Sequence, residues 1–155
     1  MDGLVTTFAV VTGAAGASLA PGVILIVGFA NVFADAFSMG ASSYLSAVSE
    51  ESTHEHMHRK RPGAKGVVTF ISFVLIGMVP LAPFLYAFIV PSFAARALTV
   101  SIVVTLVSFA GVGYISGLAL GKNPFKTALR NTSIGALAAA IAFGVGHTLA
   151  TVFGV

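Results

Sequence analysis

The chain is organised as long, nearly unbroken stretches of apolar residues, which short polar or proline-containing segments separate. A helix that crosses a bilayer needs about 20 mostly apolar residues, and such runs cover residues 4–19, 22–49, 66–90, 97–120 and 132–153. The runs are continuous, whereas membrane barrel strands alternate apolar and polar positions. We therefore predict an all-α polytopic membrane protein, with five transmembrane helices in a single domain over residues 1–155.

The first run is shorter than the others. Its roughly 16 residues would form a helix ~24 Å long, whereas the hydrocarbon core is about 30 Å thick. A cleaved signal peptide would have a basic segment before the apolar run, but the only charged residue there is Asp2. Either the first helix is short and thins the bilayer locally, or it lacks residues upstream. We favour a truncated first helix.

The composition excludes several classes of protein. Hydrophobic residues make up 57% of the chain and charged residues 8%, whereas about a quarter of the residues in soluble domains are charged. The mean hydropathy is +0.99. A formal net charge of +3 supplies too few cations for a nucleic-acid interface. Because the sequence has no cysteine, disulfides, thiolate metal sites and thiol nucleophiles are excluded.

The basic residues lie almost entirely on one side of the predicted spans. Only Arg96 falls between the third and fourth spans. The other cations occupy the linkers after the second and fourth spans: Arg59, Lys60, Arg61, Lys65, Lys122, Lys126 and Arg130. The positive-inside rule makes these two linkers cytoplasmic. The start of the chain is then also cytoplasmic, and the C-terminus faces outward.

Asp35 is the strongest candidate for a functional residue, because it lies midway along the second run, where an ionisable group is costly. Asn31, Asp35 and Met39 follow at intervals of four and share one helix face. Oxygen ligands suit several divalent cations, while a thioether disfavours Mg²⁺ and Ca²⁺. We interpret this face as part of an ion path. The alternative is that the polar pair bonds neighbouring helices and Met39 only fills space.

The linker after the second span is rich in histidine and glutamate. If the second helix continues into the cytoplasm, one of its faces carries Glu51, His54, Glu55 and His58. Imidazoles four residues apart can bind a divalent transition metal. The alternative is a solvated segment of mixed charge that ends in a basic membrane anchor, since a histidine-rich tract is only compositional support for metal binding.

Pro80 and Pro83 interrupt the helical hydrogen bonds of the third span. Carbonyls freed at membrane depth are tolerated against protein or a water-filled cavity, so this helix either walls a pathway or is kinked for packing. The glycines of residues 110–121 and 144–146 indicate helix contacts. We find no nucleophile elbow, phosphate-binding loop or metalloprotease motif, and therefore predict neither an enzyme nor a resident cofactor.

Two segments, DGLVTTFAVV at residues 2–11 and ADAFSMGASSYLS at residues 34–46, resemble the vacuolar iron transporter family. Residues 69–73 and 80–84 are similar to its third helix and residues 135–146 to its fifth. The resemblance implies five helices per subunit and a homodimer with its ion path near the two-fold axis. It also implies export of Fe²⁺, and often Mn²⁺, from the cytosol in exchange for protons, with Asp2 and Met39 lining the path.

The sequence departs from that family in three places. Members have residues before the DG motif, which fits a truncated first helix. Plant-type members have glutamate at the position of Asn31, so a metal ligand is either lost or replaced by Asp35. Iron-specific members carry a long Glu-rich cytoplasmic domain, whereas this chain has only residues 50–65, as short nodulin-like and some prokaryotic relatives do. Its histidines with Glu51 and Glu55 would then form a reduced capture site.

Together with these residue patterns, the resemblance implies a transporter that exports Fe²⁺ or Mn²⁺ from the cytosol by proton antiport. Asp2 and Asp35 are the predicted carboxylate ligands and proton acceptors, Met39 sets selectivity, and Asn31 is an auxiliary ligand. A carboxylate must be ionised to bind a metal, so protons and metal compete for it. The alternatives are a membrane scaffold that transports nothing and a passive cation channel.

The expected partners are the transported ion, membrane lipid and a second copy of the chain, and no nucleic acid. The predicted location is the cell (inner) membrane in a prokaryote or the vacuolar membrane in a eukaryote.

Overall fold

The structure, a computed structural model, describes residues 1–53 and 61–154, and for residues 51–53 it describes the backbone alone. Throughout these two ranges the chain is helical or turns between helices, with no β-strand. The helices are α1 (Asp2–Gly16), α2 (Pro21–Thr53), α3 (Pro62–Gly77), α4 (Ala82–Ile89), α5 (Ala94–Ala119) and α6 (Pro124–Phe153), with a 3₁₀ turn at Pro91–Phe93 before α5.

Three segments are long and apolar enough to cross a membrane: Pro21–Glu50, Pro91–Ala119 and Pro124–Phe153. The pair α3 and α4 passes the same test if it is taken as one span, bent by 58° at the break. The described residues therefore contain three to four candidate spans. The predicted count of five is not confirmed, because α1 has 15 residues and about 20 are needed to cross the hydrocarbon core.

Proline marks the beginning of three helices, at Pro21, Pro62 and Pro124. The first residues of a helix need no hydrogen-bond donor, so proline is tolerated there. At α6 the Asn123 side chain also accepts a hydrogen bond from the Lys126 backbone N–H, 3.2 Å away. With this cap, α6 begins at Pro124, eight residues before the apolar run that starts at residue 132. The basic segment between them forms the first turns of α6.

The break predicted from Pro80 and Pro83 separates α3 from α4. Neither proline can donate a backbone hydrogen bond. The buried Ser101 hydroxyl of α5 donates to the Pro80 carbonyl at 2.6 Å. Because a buried carbonyl without a partner is costly, this hydrogen bond stabilises the bend and joins it to α5.

Contacts between helices fix their directions. Gly3 lies against Phe73, and Thr7 lies against Gly77, so α1 and α3 run in the same direction. Gly77 also lies against Val32, while Gly40 lies against Gly66, so α2 runs opposite to both. Asp2 and Met39 are therefore at similar depth, near the middle of α3.

Helix α1 is the central element of the bundle. Val11 packs in a cluster with residues of α2 and α4, and Leu4 and Phe8 pack in a second cluster with Phe109 and Ala139 of α5 and α6. Large apolar side chains remain exposed along the outer faces of α2, α5 and α6. Such faces are compatible with lipid. Helix α1, by contrast, is buried among the other helices, and this packing fixes the position of its first turn in the bundle.

Several glycines in the predicted contact segments lie at close helix crossings. A Cβ on Gly113 or Gly117 would lie 2.7 Å from the Ala128 Cα or 2.6 Å from the Pro124 Cα. Gly146 similarly lies against the Gly13 carbonyl, and these close approaches require glycine. Gly111 and Gly144, in the same segments, have open space beside them.

Candidate metal site

The first turn of α1 is held against α3 through Gly3. A Cβ at this position would lie 2.9 Å from the ring of Phe73, so only glycine lets the helix and the ring approach this closely. Phe73 is itself buried. This contact places Asp2, the preceding residue, beside the same face of α3.

Met39 is positioned in a similar way from α2. Gly40 lies against α3, where a Cβ would be 3.1 Å from the Gly66 carbonyl oxygen. The backbones of α2 and α3 therefore cross closely just after Met39. Its side chain remains 38% exposed beside the crossing and is free to contact a ligand.

A cavity of about 290 Å³ lies between α1, α2 and α3. Asp2 and Met39 both line it, although they come from different helices. Its other lining residues are Met1 and Gly3 at the start of the chain and Val68, Thr69, Ser72, Phe73 and Ile76 of α3. The cavity thus offers a carboxylate, thioethers and two hydroxyls within an otherwise apolar wall.

The depth of the cavity follows from α3. Lys65 lies in the first turns of α3, and Ser72 is ~10 Å further along the helix axis, at 1.5 Å per residue. The cavity therefore lies along the second half of α3, which forms a candidate span together with α4. An anionic side chain inside such a span needs water, a cation or protein beside it.

Asp35 and Asn31 form a separate polar pair on α2. The Asn31 amide Nδ2 donates to Asp35 Oδ2 at 3.2 Å, and both side chains are half-buried. Asp35 lies one turn before Met39 along α2, but neither Asp35 nor Asn31 lines the cavity that holds Asp2 and Met39. The pair is therefore a separate position on α2, further than Met39 from the linker between α2 and α3.

The structure thus brings together Asp2 and Met39, and it pairs Asn31 with Asp35. His54, Glu55 and His58 lie outside the described residues, as does the side chain of Glu51. Among the side chains that the structure describes, those of residues 1–50 and 61–154, no three His, Asp or Glu are grouped to hold a metal. A metal in the cavity would therefore use thioether, hydroxyl or water ligands besides Asp2.

Thr69 and Ser72 were not among the sequence-predicted site residues. They are three residues apart on α3 and so lie on one face of it. A pair of hydroxyls at helical spacing in an apolar span was the available signal. It does not show which neighbouring helix the hydroxyls face, and the structure supplies that information.

Comparison with known proteins agrees with these features. The VIT family profile matches residues 1–64 and 51–147. Vacuolar iron transporter 1 of Tulipa gesneriana is 28% identical over 212 residues, covering 97% of this chain and 84% of its own length. The Toxoplasma gondii vacuolar iron transporter is 27% identical over 220 residues, covering 99% of this chain and 73% of itself.

A shorter match has higher identity. The Plasmodium berghei vacuolar iron transporter is 44% identical over 50 residues, which are 32% of this chain and 18% of that protein. The two long alignments exceed the 155 residues of this chain, so those relatives contain segments without a counterpart here. Because the family profile covers most of the sequence, this chain belongs to the VIT family.

Proposed function

We propose that this protein exports a divalent transition metal, Fe²⁺ or Mn²⁺, from the cytosol in exchange for protons, and that it works as a homodimer. The VIT family comprises transporters, and the relatives above are named vacuolar iron transporters. The observation that carries the proposal is the cavity that Asp2 of α1 and Met39 of α2 line together.

The donor set favours a transition metal over an alkaline-earth ion. The Asp2 carboxylate is a hard oxygen ligand, and the Met39 thioether is a soft one. Mg²⁺ and Ca²⁺ take oxygen ligands, whereas thioethers bind softer metals. Fe²⁺ and Mn²⁺ accept oxygen ligands and tolerate a sulfur neighbour, so they fit this combination.

Proton exchange follows from the chemistry of the carboxylates. A carboxyl group binds metal only in its ionised form, so metal binding releases a proton and protonation releases the metal. Asp2 lines the cavity, and Asp35 lies on α2 one helical turn before Met39, which also lines it. A proton gradient would use these two groups to drive metal release on the far side.

The exposed polar face of α2 supports a homodimer. Asn31 and Asp35 are half-buried, and the serines that follow on this helix, Ser38, Ser42 and Ser46, are exposed in one protomer. Polar groups at membrane depth are costly against lipid. A second copy would cover this face and would add a second Asp2, so that two carboxylates balance the charge of a divalent cation.

The cytoplasmic side is assigned by charge. Arg61 and Lys65 lie at the beginning of α3, and Lys126 and Arg130 lie in the first turns of α6. Both clusters are at the ends that the positive-inside rule places in the cytosol. Metal would therefore enter the cavity from the linker side and leave along the α1–α2 face.

Uptake into proteoliposomes tests the function directly. Purified protein would be assayed with Fe²⁺ under reducing conditions, Mn²⁺, Co²⁺, Zn²⁺ and Mg²⁺, each at two opposing pH gradients. We expect Fe²⁺ or Mn²⁺ flux that increases when the compartment receiving the metal is acidic, and no Mg²⁺ flux. Metal flux that ignores the pH gradient would indicate a passive channel, and no flux with any metal would indicate the scaffold.

A further inference from the structure

Ser72 and Thr69 of α3 line the same cavity as Asp2 and Met39. We propose that their hydroxyl oxygens are ligands of the transported metal and that Ser72 in particular sets the preference for oxygen-seeking metals. The inference rests on the proposed function for the identity of the ion. It assigns α3 a direct part in metal binding, beside α1 and α2.

The hydrogen bonds of Thr69 leave its oxygen free to accept. Its hydroxyl donates to the Lys65 backbone carbonyl at 2.9 Å. A hydroxyl has one proton and two lone pairs, so once its proton is committed the oxygen presents lone pairs only. Such an oxygen suits a cation and cannot donate to an anion.

Unlike several serines and threonines of the described helices, Ser72 does not donate a hydrogen bond to its own helix. Serine and threonine in a helix commonly donate to the carbonyl four residues earlier, as Ser108 and Thr132 do here. Within the described ranges, Ser72 makes no hydrogen bond to a protein group, and its side chain is exposed to the cavity. Its hydroxyl is therefore available to a ligand or to ligand-bound water.

The resulting donor set explains a specific metal preference. Asp2, Thr69 and Ser72 supply oxygen, and Met39 supplies sulfur. Zn²⁺ prefers four nitrogen, thiolate or carboxylate ligands in a tetrahedron, whereas Mn²⁺ favours a larger number of oxygen ligands. Two neutral hydroxyls raise the number of oxygen ligands without adding charge, which favours Mn²⁺ or Fe²⁺ over Zn²⁺.

The sequence has no cysteine, so Ser72→Cys introduces a unique thiol into the proposed ligand position. The detergent-solubilised full chain would be treated with a maleimide, with and without Zn²⁺ or Mn²⁺. We expect bound metal to slow the modification of residue 72 about tenfold, or about 1.4 kcal/mol of protection. An Asp2→Asn change in the same protein should remove this protection, because both residues would bind one ion.

Ile71→Cys is the matched control, since Ile71 adjoins Ser72 on α3 but does not line the cavity. Metal should leave its rate of modification unchanged. If metal leaves the rate at residue 72 unchanged, or if protection there persists with Asp2→Asn, the inference is wrong. This readout needs no transport, so it separates the inference from the proposed function.

A transport assay provides the second measurement. Ser72→Ala should raise the KM for Mn²⁺ about tenfold, a loss of about 1.4 kcal/mol of binding, while Ser72→Thr should restore it because the hydroxyl is kept. Ser72→Cys should shift the Zn²⁺ to Mn²⁺ preference toward Zn²⁺. Wild-type Mn²⁺ kinetics in Ser72→Ala, with active wild-type protein, would overturn the inference and leave the proposed function standing.

Discussion

Two helix pairs in this protein cross closely through glycine, with different consequences. At α2–α3, Gly40 and Gly66 face each other. Met39, next to Gly40, and Ser72, further along α3, are exposed to a cavity. At α5–α6, Gly113 and Gly117 lie against the backbone of α6, and the polar residues there, Thr127 and Asn131, are buried.

The difference lies in where the polar groups can bond. The Thr127 hydroxyl donates to the Asn123 carbonyl at 3.0 Å within the α6 cap. Ser72, on α3, faces the space bounded by the first turn of α1. The same close approach therefore stabilises a contact at α5–α6 and leaves possible metal ligands available at α2–α3. Changes at α5–α6 should affect stability, and changes beside the α2–α3 crossing should affect transport.

The largest effect is expected for Asp2→Asn. Because the carboxylate is the only anionic group among the described residues that line the cavity, its loss should lower metal flux at least about 100-fold, or about 2.7 kcal/mol. Asp2 is exposed, so the midpoint of thermal unfolding should not change. Flux would be measured in proteoliposomes and unfolding in detergent. Substantial Fe²⁺ and Mn²⁺ flux in this variant would contradict the assignment of the site.

Asp35→Asn should abolish metal-dependent proton flux, because Asp35 is the other carboxylate on the proposed path. A pH-sensitive dye inside the proteoliposomes would record the flux. Asn31→Ala is the control, since it removes the 3.2 Å amide partner but keeps the carboxylate, and it should retain coupling. Normal proton flux in Asp35→Asn would rule out its role.

Gly113→Ala tests the other side of the comparison. The added Cβ would lie 2.7 Å from the Ala128 Cα, and overpacking of this kind costs about 1–3 kcal/mol. The midpoint of unfolding should fall, while the KM of the folded protein stays unchanged. Gly111→Ala is the matched control on the same helix, because Gly111 has open space around it. An equal effect of both changes would refute the packing argument.

Met39→Leu should have a smaller effect, on selectivity. Leucine keeps the volume of the side chain and removes the thioether. Discrimination between Mn²⁺ and Mg²⁺ should fall about tenfold, or about 1.4 kcal/mol, as measured by competition in the uptake assay. Unchanged discrimination would show that the sulfur does not contact the ion.

The smallest effect is expected for replacement of His54, His56 and His58 by alanine. If the linker captures metal, uptake should fall a few-fold at low metal concentration and remain normal at saturation. The measurement is uptake as a function of metal concentration. Identical curves for the variant and the wild type would remove the capture hypothesis.

Much of the fold was predictable from local patterns. The continuous apolar runs predicted helices, and Pro80 with Pro83 predicted the break between α3 and α4. The beginning of α6 at Pro124 was not predicted, because the Asn123 cap extends the helix through a polar segment that hydropathy assigns to a linker. The five spans are not confirmed, because α1 has 15 residues, as the short first run indicated, and about 20 are needed to cross the hydrocarbon core.

The site was less predictable than the fold. Helical spacing relates Asp35 to Met39 along one helix, but it cannot show that the cavity partner of Met39 is Asp2. The resemblance to a known family suggested that pair. Ser72 and Thr69 were missed as ligands because their role depends on how α3 is rotated relative to α1. In the structure, Gly3 lies against Phe73 and Thr7 against Gly77 where these two helices meet.

The contact between Gly3 and Phe73 also borders the cavity. Phe73 touches Gly3 on one side and forms part of the cavity wall on the other. A methyl group at residue 3 would lie 2.9 Å from the phenyl ring, so the ring would have to shift, and the ring is part of the cavity wall. The smallest side chain in the first turn of α1 therefore preserves the shape of the proposed site.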